Sequence, residues 1–111
     1  MTTDLERAQE RYCTMLGLLL SRATFLAIPL RLGCGWCQED HHMENSLHKI
    51  KLAHDFVIMW EDDAYGSFDD YLPLGLYWES IGGYWGGRRN AGADGRGNDA
   101  NHFSLAYSGR K

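Results

Sequence analysis

The run Cys34-Gly-Trp-Cys37, followed by His41, His42, His48 and His54, holds the side chains of this chain best suited to chemistry. Thiolate and imidazole are ligands that zinc favours, so the group is a candidate metal site. If Cys37 opens a helix, each residue turns about 100° from the last. Cys37, His41, Glu44 and His48 then share one stripe, and Met43, Leu47, Ile50 and His54 share another. One stripe reads as ligands and the other as core. His41 and His48 would be about 10 Å apart along the axis, too far for one ion. A single site therefore uses Cys34, Cys37 and His41, with Glu44 or His42 as the fourth ligand. The competing reading needs no metal, because histidines on exposed helix faces are common and a lone CxxC lacks the second pair of a zinc ribbon. No other cofactor is expected. The Gly82-Gly83 and Gly86-Gly87 pairs lack both the Lys-Ser/Thr of a P-loop and the following helix of a dinucleotide fingerprint.

Cys34-Gly-Trp-Cys37 also resembles the active-site motif of the thioredoxin family, over roughly residues 24 to 78. The resemblance implies a redox pair, with Cys34 as nucleophile and Cys37 as resolving thiol. It further implies that residues 57–60 form the next parallel strand and that Pro73 stands just before a strand. The chain departs from that family at its end, where a Gly/Asn-rich stretch replaces the closing helix. Cys13 lies near the apolar face of the first helix and is expected to be a small buried residue.

A second group is acidic and aromatic. From Trp60 the chain reads Trp-Glu-Asp-Asp-Ala-Tyr-Gly-Ser-Phe-Asp-Asp-Tyr. Residues 52–87 carry seven acids, no Lys or Arg, and nine of the fourteen aromatic residues. Trp60, Glu61, Asp62, Asp63, Tyr65, Phe68, Asp69, Asp70 and Tyr71 are the candidate partner-binding residues. Carboxylates would steer a basic protein surface inward and the aromatic rings would bury on contact, imitating phosphates to a nucleic-acid-binding partner. In the plainer reading the rings pack a sheet and the acids solvate its loop. Catalytic carboxylates fit less well, because adjacent strand residues face opposite ways and no nucleophile or oxyanion hole accompanies them. An EF-hand pattern is absent.

The charge distribution bears on partners rather than fold. The formal net charge is -4, yet residues 88–111 hold five bases and two acids. The acidic centre should repel DNA, so no direct DNA binding is expected. The basic end, with Arg88, Arg89 and Arg96, could pair with the acidic centre inside the same molecule. The apolar stretch from Met15 to Trp36 contains Arg22, Pro29 and Arg31, so no membrane span is expected. Three cysteines and an N-terminus without a basic signal region point to reduced thiols and a cytoplasmic location.

Positioning these groups requires secondary structure. Thr3 and Glu6 form a capping box, and Leu5, Ala8, Tyr12, Leu16 and Leu19 recur at helical spacing, so residues 3–22 are expected to form an amphipathic helix. A second helix is expected over 38–55. Strands are expected at 56–60, 74–78, 83–87 and 102–107, with a hairpin at Gly82-Gly83 and a long loop over 86–101. The 111 residues suit one domain, helical over 3–55 and β-rich over 56–107. The expected fold class is α+β, two helices on a small, mainly antiparallel sheet. The expected function is a small non-enzymatic factor, of inhibitor, immunity or accessory-subunit type, acting through the acidic aromatic surface. The alternative is a CxxC protein, zinc-stabilised or acting as a thiol-disulfide oxidoreductase.

Overall fold

The computed structural model describes residues 2–33 and 47–111, with only the backbone of His48. Its first element is the helix α1, Asp4–Phe25. The Thr3 hydroxyl accepts from the Glu6 N–H while the Glu6 carboxylate accepts from the Thr3 N–H, closing the expected capping box. Tyr12, Met15, Leu19 and Ala23 form its buried stripe. Cys13 lies off that stripe and is exposed, contrary to expectation. The helix ends in a paired closure: Ala27 N–H donates to Thr24 O and Ile28 N–H to Ala23 O, with Ala27 at a positive φ of 57°. This turn sends the chain into strand β1, Leu30–Leu32.

Strand β2, Ala53–Ile58, starts earlier than expected. The described part of the expected second helix is instead a 3₁₀ turn, Leu47–Ile50, followed by the start of β2. The reason is visible in β2 itself, whose alternating pattern presents His54, Phe56 and Ile58 to the helices. The second helix lies further on, as α2, Phe68–Ser80. Residues 74–78, expected as a strand, are its middle turns. Tyr71, Leu74, Gly75 and Trp78 repeat at helical spacing and are buried. Strand β3, Tyr84–Trp85, and strand β4, His102–Ser104, complete a sheet of order β1-β2-β4-β3, antiparallel throughout. Gly82 does have positive φ, 101°, but it turns α2 into β3 rather than joining two strands.

The result is α+β, with both helices on one face of the sheet. Tyr12 of α1 packs edge-on against Trp78 of α2, which meets Phe103 edge-on in turn. The Trp78 indole N–H donates to Tyr84 O and Ser104 O, tying α2 to the sheet. Full burial of such a side chain stabilises by about 2 kcal/mol. A Cβ at Gly75 would strike the Trp85 ring, so glycine is what lets α2 lie against β3. The thioredoxin-like layout is not found: β2 is antiparallel to both neighbours, and Pro73 lies inside α2. No helix among the described residues is long and apolar enough to cross a membrane.

Candidate functional site

The nine acidic and aromatic candidates fall into two groups with different fates. Trp60 to Tyr65 form a turn leaving β2. Trp60 N–H donates to Ala64 O, Asp63 N–H donates to Trp60 O, and Met59 bridges Tyr65. The Asp62 carboxylate accepts from Ala64 N–H at 3.2 Å, and Asp63 takes a positive φ of 61° that Asp tolerates better than most residues. Gly66 N–H returns to Ile58 O at 2.8 Å. The turn is thus closed by its own backbone. It leaves Glu61, Asp62 and Asp63 exposed, and Tyr65 74% exposed. Among the described residues no cation pairs with these three carboxylates.

Beside the turn runs an open groove of about 600 Å³. Ala27, Pro29 and Arg31 form one wall, and Met59 to Asp63 the other. Trp60, one of the lining residues, is half-buried, with its indole N–H on Asp70 Oδ2 at 3.2 Å.

Phe68, Asp69, Asp70 and Tyr71 are engaged within the molecule. Asp70 is the third residue of α2 and completes a capping box with Ser67. Its Oδ2 accepts from the Ser67 N–H, the Trp60 indole and the Ser67 hydroxyl, which together hold the carboxyl below its ordinary range. Tyr71 is buried. Its hydroxyl donates to Phe56 O at 2.9 Å and accepts from Ile58 N–H at 3.0 Å. Those two backbone groups lie on the β4 side of β2, beyond the last β4 residue paired there, so the phenol stands in for a missing strand. Burial pushes that hydroxyl's pKa up. Phe68 packs on Trp85, and Arg96 lies over Phe68 while pairing with Asp69 at 2.9 Å. Arg88 grips Glu79 through two bonds of 3.0 and 3.1 Å. The basic segment therefore does fold back on part of the acidic centre.

The zinc candidates Cys34, Cys37 and His41, with His42 and Glu44, lie outside the described residues, as does the redox pair. Among the described residues no group of three His, Cys, Asp or Glu side chains is placed to hold a metal ion. His54 is half-buried against the core: its ring stacks on Tyr12, and its Nδ1 is 3.0 Å from the Tyr12 hydroxyl. The Tyr12 hydroxyl also reaches Phe103 O at 3.1 Å, so it links His54 of β2 to β4.

Sequence reasoning missed a polar cluster on the opposite face of the sheet. Asp55 and His102 are register partners, with the carboxylate 3.5 Å from His102 Nδ1. Arg89 reaches His102 Nε2 at 3.4 Å, Asp99 at 2.9 Å and Lys111 O at 2.8 Å. Ser104 shares this face, so the residue types of a hydrolytic triad are present. The arrangement is not one: Ser104 Oγ is fully buried with no hydrogen-bond partner among the described residues, and the guanidinium occupies the far side of His102. The alternation of His102 and Ser104 hints at a shared face, but only the β2–β4 register brings Asp55 to them. No family model matches the chain, and no curated protein matches it in sequence.

Proposed function

We propose that this chain is a small binding protein of inhibitory or accessory type that engages a basic protein surface through the turn at 60–65. The observation that carries this reading is the division of the acidic centre. Asp69, Asp70 and Glu79 are satisfied internally, whereas Glu61, Asp62 and Asp63 flank an exposed Tyr65 on a turn closed by its own hydrogen bonds. A turn already ordered loses little entropy on association, and an aromatic ring rimmed by carboxylates combines an anchor with electrostatic steering.

A photo-crosslinking residue in place of Tyr65, expressed in the native host, should capture one partner with a basic surface. Reversing Glu61, Asp62 and Asp63 to Lys should abolish that capture, and reversing Asp69 should leave it intact. Undiminished capture by the triple reversal would overturn the reading.

A further inference from the structure

We infer that the partner is held as an added β-strand along the open edge of β1, a mode of engagement that rests on the binding role proposed above. The argument begins with the hydrogen-bond alternation of the β1–β2 ladder. Gly33 N–H donates to Asp55 O and Met59 N–H donates to Pro29 O, so positions 29, 31 and 33 turn their polar groups toward β2. In an antiparallel pair the intervening residues must turn theirs the other way. The N–H and C=O groups of Leu30 and Leu32 therefore point off the sheet, where no partner for them is found among the described residues. Among the described strands β1 is the outermost in the order β1-β2-β4-β3. Leu32 is 75% exposed, an apolar surface beside an edge that is unpaired among the described residues. Such an edge is a template for a further strand.

The groove specifies what that strand carries. Pro29 and Arg31 line it from the β1 side, and Trp60 with Glu61, Asp62 and Asp63 lines it from the turn. Three carboxylates against one guanidinium leave it net negative. An extended segment laid on β1 sends alternate side chains into this groove and the intervening ones toward Leu32. The matching occupant is an extended peptide of the partner protein with a Lys or Arg at the groove position, set over the Trp60 ring, and an apolar residue at the Leu32 position. Asp70 is then a positioning residue, since its bond to the indole N–H fixes the ring that the cation meets.

The test uses the whole chain and a fluorescein-labelled peptide, Thr-Val-Arg-Val-Ser-Val-Thr. Binding should slow amide exchange at Leu30 and Leu32. Leu32→Pro removes an outward N–H without touching the β2 ladder, and should weaken binding about tenfold. Methylating alternate backbone nitrogens of the peptide should do the same with the unaltered protein, so the test survives if the proline variant folds poorly. A peptide that binds, loses affinity on Glu61, Asp62 and Asp63 reversal, yet leaves exchange at Leu30 and Leu32 unchanged would overturn strand addition while sparing the acidic-turn reading. Absence of binding to the unaltered protein would overturn strand addition as well, and the crosslinking experiment would then judge the turn alone.

Discussion

The stretches 60–65 and 67–71 have nearly the same composition, acids interleaved with aromatic rings, and the fold uses them in opposite ways. In the second, each side chain is consumed by the molecule itself: Asp70 by a helix cap and an indole, Asp69 by Arg96, Phe68 by Trp85, Tyr71 by the end of β2. In the first, the backbone closes the turn and most side chains face water. Acidic aromatic composition is therefore not a surface in itself. What separates the two stretches is whether a helix begins there, because a helix N-terminus draws carboxylates into caps and places the following ring on the core.

That contrast can be broken at several points. The largest effect should come from Gly75→Val, which drives a side chain into the Trp85 ring and separates α2 from β3. We expect a loss of about 3 kcal/mol, read by chemical denaturation. Tyr71→Phe keeps the ring and deletes the hydroxyl, leaving Ile58 N–H and Phe56 O unsatisfied in a buried place. It should cost about 2 kcal/mol, and a neutral result would show that the phenol is not filling in for a strand. Ser67→Ala removes the cap of α2 and should lower stability by about 1 kcal/mol.

Asp70 supplies a pH signature of the same cap. Its carboxyl is held below the ordinary range in the folded state, so the stabilisation it provides is present above the unfolded pKa and fades as pH falls through the folded one. Asp70→Asn should flatten the acid limb of a melting-temperature profile. Glu6 in the α1 capping box is lowered for the same reason, and Glu6→Gln should act in the same direction. The smallest effect belongs to the first stretch: Glu61→Lys, and Asp62→Asn and Asp63→Asn, which keep the turn's hydrogen bond and its tolerance of positive φ, should each shift stability by no more than about 0.5 kcal/mol. A large loss from any of them would erase the distinction between the two stretches.

Much of this was legible from residue types alone. Thr3 and Glu6 announce α1, and the apolar spacing after them sets its face. The excess of bases after residue 87 anticipated the Arg88–Glu79 and Arg96–Asp69 pairs. The middle of α2 reads as a strand in the sequence because Leu74-Gly-Leu-Tyr-Trp78 has strand-like composition. Yet Ser67 and Asp70 stand at capping-box spacing, and Tyr71, Leu74, Gly75 and Trp78 follow a helical period. Packing of Trp85 on the bare Gly75 backbone decides between the two, and that contact is nonlocal. The Asp55–His102–Arg89 cluster was beyond local reasoning for the same reason, since a register between β2 and β4 creates it.

The Tyr71 hydroxyl has one more consequence. It fastens Tyr71, which follows the turn, to Phe56 and Ile58, which precede it, so the loop of about a dozen residues between Ile58 and Tyr71 is closed through one oxygen. Pinning its ends shrinks the volume the loop can explore before anything arrives. If the turn binds as proposed, a phenol sealed inside the protein tightens that binding without touching the partner, and a substitution there would be felt first as a faster dissociation rate.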